Sequence, residues 1–378
     1  MGNSILGVFF LLLLSNPLAA QLDSIASKLS FHTDVRFRVE QDWFGRKSDG
    51  LFRDNRTRMR YRVRAGFSYS ESWYSFGVQA RTGDQRKQQD PQLTLGTGFE
   101  EFGTLPIGLE KAFFQAKWRH FQLKLGKFAF PFEKNHEVFW SDNVYPEGVF
   151  AGKGFSLETD WLDSLDLRIG HFILSSAGKT LGQDAYVQGA QMYLRGMDGA
   201  WEMFPAYYRF RNMPNIPDGA ETYRLDYPVF HLGTRFNWRW DAPVRLEVDL
   251  YQNVANYARH DSIAANFRDQ RRGWVLGFQY GALEQPRDWL FKATYANMQR
   301  YSAVDFLAQN DWARWDYSGF NSPDGRLTNF QGMELVAKYQ LARRVALTLK
   351  CYMVEQLVPL EAFTETGNRW RLDLDVKW

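Results

Sequence analysis

Five arginines alternate with mostly apolar residues between Asn55 and Phe67, and this alternation constrains the fold more than any other feature. The arginines are Arg56, Arg58, Arg60, Arg62 and Arg64, and the residues between them and after them are Thr57, Met59, Tyr61, Val63, Ala65 and Phe67. A period of two is typical of a β-strand, whose successive side chains point to opposite faces. Because an arginine facing lipid at mid-membrane costs about 2–4 kcal/mol, the charged face must be wet. The pattern therefore predicts a strand in a wall between lipid and water.

The amino terminus has the pattern of a secretory signal peptide. An apolar run from Ile5 to Leu14 is followed by small residues that end at Ala20. No lysine or arginine precedes this run, which is unusual for such a signal. The alternative, a retained membrane anchor, would need about 20 apolar residues, more than the run contains. We therefore predict a signal peptide at residues 1–20 and one barrel domain at residues 21–378.

The composition supports strands that are half apolar and half polar. Aromatic residues make up 17% of the chain, although its mean hydropathy is −0.44. The net charge of +3 gives no general attraction to nucleic acid. The single cysteine, Cys351, excludes an internal disulfide framework, and no pair of histidines has the spacing of a metal site. We expect no metal and no cofactor.

The alternation continues through about sixteen segments, separated in turn by short and long connections. The predicted strands are 31–41, 55–68, 73–82, 108–118, 120–128, 153–161, 165–175, 186–195, 199–211, 229–240, 243–254, 271–281, 287–299, 328–340, 343–356 and 369–378. Pro205 makes the segment 199–211 the weakest of them. Short turns on one rim and long loops on the other are typical of an outer-membrane barrel with periplasmic turns and extracellular loops. The predicted fold is thus an all-β, transmembrane, antiparallel β-barrel.

The last segment indicates the same class of protein. Trp370, Leu372, Leu374, Val376 and Trp378 share one face, while charged residues occupy the other. A soluble double-layer β-protein would bury its apolar face and would not need an aromatic final residue. The ending is similar to the signal that the barrel-assembly machinery recognises in outer-membrane proteins. We expect Trp378 to serve that recognition, and outer-membrane lipid and lipopolysaccharide to surround the barrel.

Several short segments, in their order and spacing, resemble the porin family of Bacteroidetes and related Gram-negative bacteria. The similarity covers roughly residues 31–175, and the segments are Arg36-Phe37-Arg38, the arginines 56–64 with Gly66, Arg81-Thr82-Gly83-Asp84, Leu125-Gly126-Lys127-Phe128 with Pro131-Phe132, and Trp140-Ser141-Asp142 with Pro146-Glu147-Gly148-Val149. One departure is Glu133, where the family would have a bulky aromatic. The resemblance implies a water-filled channel for small solutes, and by analogy a homotrimer.

In such channels the third long loop folds into the barrel, and here that loop is predicted at residues 129–152. Its candidate constriction acids are Glu133, Glu137, Asp142 and Glu147. We expect them to oppose a pore-lining basic ladder made of Arg36, Arg38, Arg56, Arg58, Arg60, Arg62 and Arg64. Such an arrangement would give a transverse field and an ion preference, with anions favoured if the arginines dominate. The alternative is that the arginines only form salt bridges with lumen acids such as Glu40, Asp373 and Asp375.

Three other functions are alternatives to a general diffusion channel. A solute-specific channel, for example for a sugar or phosphate, would also suit a pore mouth with aromatic loops. A surface-display or adhesion barrel would present loops 83–107 and 300–327, the second of which contains Asp311 and Trp312. No serine is marked as an activated nucleophile, so we predict no enzymatic activity and no catalytic residue. His136 in the constriction could add a positive charge if it were protonated near pH 6.5.

Overall fold

One antiparallel sheet closes on itself to form a barrel. The computed structural model describes residues 26–85, 89, 91–96, 105–157, 159–178, 180–216, 223–313 and 327–378. Each long strand pairs with the next long strand in sequence, and the first strand also pairs with the last, which closes the ring. The predicted signal peptide and residues 314–326 of the second display loop lie outside the described residues.

The barrel wall consists of sixteen long strands and one strand of two residues. They are β1 (Leu29–Trp43), β2 (Arg56–Ser70), β3 (Tyr74–Thr82), β4 (Leu93–Thr94), β5 (Ile107–Trp118), β6 (Phe121–Lys127), β7 (Glu147–Ser156), β8 (Ser164–Ser175), β9 (Ala185–Gly196), β10 (Trp201–Pro214), β11 (Arg224–Arg239), β12 (Pro243–Asn253), β13 (Arg272–Gly281), β14 (Trp289–Met298), β15 (Phe330–Ala342), β16 (Val345–Gln356) and β17 (Thr366–Lys377). Short 3₁₀ turns occur at Leu181–Gln183, Met197–Gly199, Ala265–Phe267 and Asp305–Leu307. None of the helical turns in the described ranges is long and apolar enough to cross a bilayer.

The predicted all-β antiparallel barrel is confirmed, with one clear difference in strand position. The sequence pattern placed the sixth strand at 153–161, whereas β7 runs from Glu147 to Ser156. Three of its residues, Gly148, Gly152 and Gly154, belong to the same face of the strand. Because glycine has no side chain, the alternation of polar and apolar residues is not visible in the sequence there. The inward loop is correspondingly shorter than the predicted 129–152 and ends at residue 146.

Pro205 lies inside β10 without ending it. The pairing of β10 with β11 continues through Pro205, opposite Leu232, but the pairing with β9 is missing between Met203 and Ala206. Proline has no N–H and therefore leaves a gap on one side of the ladder. The weakest predicted strand is thus a full wall strand with a local gap.

The outer face of the wall is apolar and exposed, while the inner face is polar or packed. On β13 the outward residues Trp274, Leu276, Phe278 and Tyr280 are 37–45% exposed, and Val275 between them is fully buried inside the barrel. The same division appears on β11, β14 and β16, whose outward residues include Phe236, Phe291 and Leu349. A continuous exposed apolar band of this kind is typical of a surface that meets lipid.

The dry core lies inside the barrel, where two connections fold inward. The segment 128–146 between β6 and β7 carries Phe128 and Trp140, and the segment 299–313 after β14 carries Leu307 and Trp312. These side chains pack with aromatic residues of the inner wall, such as Tyr208 of β10. Apolar packing therefore fills one side of the lumen and leaves the other side to charged residues.

The division of faces predicts how each side of β13 tolerates a charge. Leu276→Arg places a guanidinium in the middle of the outer band and should destabilise the folded barrel in lipid vesicles by about 2–4 kcal/mol. Gln279→Arg places the same group on the lumen face of the same strand and should cost less than about 1 kcal/mol. Urea unfolding in vesicles measures both values. Equal costs for the two variants would contradict the assignment of faces.

Candidate functional site

The seven arginines of the basic ladder share the inner face of β1 and β2. Here "arginine ladder" means Arg36 and Arg38 of β1 with Arg56, Arg58, Arg60, Arg62 and Arg64 of β2. The register sets Arg36 opposite Arg62 and Arg38 opposite Arg60, so like charges face each other across β1 and β2. On its other side, β1 sets the same two arginines opposite Asp375 and Asp373 of β17. The last strand thus supplies the counter-charges that the second strand lacks.

Every arginine of the ladder forms at least one salt bridge, so the alternative of structural pairing is observed. The guanidinium of Arg36 donates from Nε to Asp375 Oδ1 over 2.6 Å, and Arg38 donates to Asp373 over the same distance. The remaining pairs are Arg56 with Asp42 at 2.8 Å, Arg58 with Glu40, Arg60 with Glu40 at 3.5 Å, Arg62 with Asp34 at 2.6 Å, and Arg64 with Glu110 at 2.8 Å. The pairing keeps the ladder together without removing its positive excess.

That excess follows from the salt bridges among the described residues of this wall. Ten arginines share seven carboxylates there: Arg36, Arg38, Arg56, Arg58, Arg60, Arg62, Arg64, Arg81, Arg369 and Arg371 against Asp34, Glu40, Asp42, Glu110, Asp311, Asp373 and Asp375. The Nε atoms of Arg58 and Arg62 have no hydrogen-bond acceptor in the described protein. The wall therefore has a net positive charge, and some of its guanidinium N–H groups lack a hydrogen-bond acceptor.

Aromatic packing holds the inward segment 128–146 against the opposite wall. The ring of Phe132 lies edge-on to Phe150, Phe172 and Tyr208, with ring centroids 5.4–6.3 Å apart. It fits there because Gly189 of β9 faces it; a Cβ on that glycine would come within 2.5 Å of the ring. Glycine on the lumen face thus provides the space that docks the loop.

Polar contacts hold the same segment against three strands of the wall. Glu133 forms salt bridges with Arg235 at 2.7 Å and Arg168 at 3.6 Å, and its backbone N–H donates to Gln191 over 2.7 Å. Arg235 also donates to the side-chain oxygen of Asn135 over 2.6 Å. Since these partners belong to β8, β9 and β11, the loop spans several strands and is held at each.

The four predicted constriction acids separate into three groups. Glu133 binds the far wall, whereas Glu137 and Asp142 line a 290 Å³ cavity together with the arginine ladder. We call this the ladder cavity. Asp142 is paired with Lys134 at 2.5 Å, and the ladder reaches the loop through Arg64, which donates to Asn143 over 2.9 Å.

Glu147 lies elsewhere because β7 begins at this residue. Its side chain is on the same outward face of β7 as Val149, and it forms a salt bridge with Lys127 of β6 at 2.6 Å. Its side chain is 64% exposed, at the end of the strand where the long loops lie. Glu147 therefore does not face the ladder, and the acids that do are Glu137 and Asp142.

The second inward segment brings Asp311 and Trp312 into the lumen. Asp311 forms salt bridges with Arg369, at 3.5 Å, and with Arg371, both on β17. Trp312 is almost fully buried and stacks on Phe330 with centroids 5.4 Å apart. Both residues were candidates for display at the surface, but they line the barrel interior. Trp315, Tyr317 and Phe320 of that candidate loop lie outside the described residues.

Sequence reasoning missed Glu110 as a partner of the ladder. A bulge in β5 shifts the register between Gln79 and Ala80 of the neighbouring strand, so Glu110 is the extra residue and turns into the lumen. There it accepts hydrogen bonds from Arg64 and Gln79. The adjacent charges Glu110-Lys111, which break the strict alternation, were the available signal.

Burial controls the protonation of two groups in the inward loop. Burial lowers the pKa of His136 to about 4, assisted by Lys292 and opposed by Asp249 and Glu247. His136 is therefore neutral near pH 7 and does not supply the charge considered from the sequence. Burial also raises the pKa of Glu137, and the neighbouring Asp142 acts in the same direction.

The solved structures most similar to this chain include bacterial porins. Pseudomonas putida OprB superposes with a TM-score of 0.58 and 12% sequence identity, covering 95% of this chain and 96% of its own. An engineered triple mutant of the Rhodopseudomonas blastica porin gives a TM-score of 0.48 at 12% identity, covering 92% of this chain and 99% of its own. No protein-family model and no curated protein matches the sequence. The comparison with OprB supports the barrel fold.

The fit of Phe132 against Gly189 predicts how the loop can be loosened. Gly189→Ala places a methyl group in the space of a ring that three other rings surround, and should weaken loop docking by about 1–3 kcal/mol. Hydrogen exchange of the amides at residues 130–142 should become correspondingly faster. Gly182→Ala is the matched control, because a Cβ there meets nothing within 4 Å. Unchanged exchange in Gly189→Ala would contradict this docking.

The pKa of His136 predicts a loss of stability in acid. Since the folded chain binds this proton only near pH 4 and the unfolded chain near pH 6.5, stability is fully present above pH 6.5 and declines as the pH falls toward 4. The loss should approach about 3 kcal/mol. Urea unfolding at pH 7 and pH 4 should show this extra loss in the wild type but not in His136→Gln. Parallel losses in the two proteins would refute the prediction.

Proposed function

We propose that the protein forms a water-filled channel in the bacterial outer membrane, through which small hydrophilic solutes and ions diffuse passively, with a preference for anions. The observation that carries the proposal is the arginine ladder itself. It lines the inside of a barrel whose outside is an apolar band, and an inward loop faces it across the ladder cavity.

The dimensions of the barrel support a channel. Eight-stranded barrels are filled by side chains, whereas barrels of about sixteen strands leave an aqueous lumen. Here the segment Glu137–Asp142 stands between the ladder cavity and a second cavity of 400 Å³, and Glu137, Asp142 and Gln309 line both. The inward loop therefore narrows the lumen and leaves space on both of its sides. The likeness to OprB, whose structure has the same fold, agrees with this function.

The charges along the lumen support the preference for anions. The ladder wall has ten arginines for seven carboxylates, as described above. Near the short turns a third cavity, of 510 Å³, is lined by five lysines and arginines and by one acid: Lys117, Arg119, Lys124, Lys153 and Arg168 with Asp166. Fixed charge of one sign in a narrow, weakly screened passage favours counter-ions.

The remaining parts of the proposal concern the cellular context. We assign the chain to the porins of Bacteroidetes and related Gram-negative bacteria, with a signal peptide at residues 1–20 and assembly through Trp378. Lipopolysaccharide and outer-membrane lipid surround the barrel, and the functional unit is a homotrimer. This context rests on the sequence motifs and on the apolar outer band. We propose no enzymatic activity.

Ion selectivity tests the role of the ladder. The refolded chain in a planar bilayer should give ohmic steps and, under a salt gradient, a reversal potential on the anion side. Arg58→Gln should reduce the anion preference, and Glu40 keeps two of its arginine partners in this variant. Asp142→Asn should increase the preference. Arg209→Gln removes the same charge from an exposed position on the outer face of β10 and should change nothing.

Two outcomes would overturn different parts of the proposal. A folded, inserted barrel without conductance steps would refute the channel. Steps with a cation-selective reversal potential, or equal shifts in Arg58→Gln and Arg209→Gln, would refute the ladder as the selective element and leave the channel itself intact.

A further inference from the structure

We propose that three lysines on the inner wall of β14–β16, with Lys338 at their centre, form a binding site for the phosphate or carboxylate group of a small polar solute that crosses the channel. The inference rests on the proposed function and adds a solute class and a site. The site is distinct from the arginine ladder, because its lysines project from strands on the other side of the inward loop.

The register of three neighbouring strands brings the lysines together. Lys292 of β14 and Lys350 of β16 both lie opposite Val336 of β15, and Lys338 follows Val336 by two residues on the same face. Lys338 is therefore the diagonal neighbour of both other lysines, with Cα atoms about 7–8 Å apart. All three side chains line the 400 Å³ cavity beneath the inward loop, which we call the lysine cavity.

The lysines differ in their partners, and this difference singles out Lys338. Lys292 is paired with Glu247 at 2.5 Å, and Lys350 with Glu334 at 2.7 Å. Within the described part of the chain, Lys338 has no salt bridge and no side-chain hydrogen bond. A half-buried ammonium without a counter-ion, beside two other ammonium groups, attracts an anion to this position.

Four acids line the lysine cavity, and none of them forms a salt bridge with Lys338: Glu334, on the same face of β15, is paired with Lys350. Asp142 is paired with Lys134, and Glu133 with Arg235 on the far wall. Glu137 is turned toward its own loop, where it accepts a hydrogen bond from the backbone N–H of Asp142 over 3.0 Å. The positive charge of Lys338 therefore faces the open space of the cavity.

The remaining lining suits the polar part of such a solute. The side-chain amides of Asn135, Gln279 and Gln309 border the cavity together with Trp312. A volume of 400 Å³ is within the range of pockets that hold small organic molecules. Lysine binds phosphate and carboxylate as a point charge with several donors, whereas chloride accepts without fixed directions. An oxyanion should thus be retained longer than chloride.

Block of the chloride current by added oxyanions tests the site. Inorganic phosphate and acetate are titrated separately onto the wild-type channel in a planar bilayer. We expect saturable block by at least one of them. In Lys338→Gln the half-blocking concentration should rise about tenfold, which is the loss expected for one charge-assisted hydrogen bond. Lys338→Arg keeps the charge and should retain most of the block.

Lys127→Gln is the matched control, because it removes a lysine that lines none of the three cavities and is paired with the exposed Glu147 at the end of β6. Its half-blocking concentration should stay within about twofold of the wild type. Block by phosphate alone assigns the site to phosphorylated solutes, and block by acetate assigns it to carboxylates. Block that is unchanged in Lys338→Gln, equally weakened in Lys127→Gln, or absent with both anions in a conducting channel overturns the inference. A wild-type barrel that passes no chloride would instead refute the proposed function.

Discussion

The pairing of arginines with carboxylates where the barrel closes is the interaction on which the rest of the structure depends. β2 places five guanidiniums on one face and β1 adds two more beside them, whereas the two strands together contribute only three carboxylates, Asp34, Glu40 and Asp42. An excess of positive charge remains, and like charges repel where Arg36 faces Arg62 and Arg38 faces Arg60. Asp373 and Asp375 of β17 offset that repulsion by accepting paired hydrogen bonds from Arg38 and Arg36. Removal of one partner of a buried ion pair is strongly destabilising, because it leaves the other charge uncompensated. The three strands β1, β2 and β17 therefore stabilise the lumen wall together.

The apolar packing of the inward loops complements this charged wall. Phe132 and Trp140 occupy the side of the lumen opposite the ladder, where lumen-facing glycines leave room for rings. The open space is therefore displaced toward the arginines. In the channel proposed above, ion selectivity and constriction share one structural origin, because the residues that close one side of the lumen leave the passage on the arginine side.

The sequence was sufficient for most of the wall and for part of the site. Strict alternation gave fifteen of the long strands to within a few residues, but the glycines of β7 hid its alternation and moved Glu147 out of the expected loop. The lumen acids Glu40, Asp373 and Asp375 were predictable as partners because they share the parity of the charged face. Asp311 and Glu110 were not, because one is placed by a non-local loop fold and the other by a bulge.

The closure of the barrel also has a consequence for the order of assembly. Asp373 and Asp375 lie almost at the end of the chain, more than 330 residues after the arginines that they neutralise. During synthesis the hairpin of β1 and β2 exists long before these two carboxylates, and with three acids for seven arginines it cannot form a neutralised wall on its own. A chain that lacks β17 therefore leaves β1 with an unpaired edge and leaves Arg36 and Arg38 without these two carboxylates. Such a wall is costly to place in a bilayer.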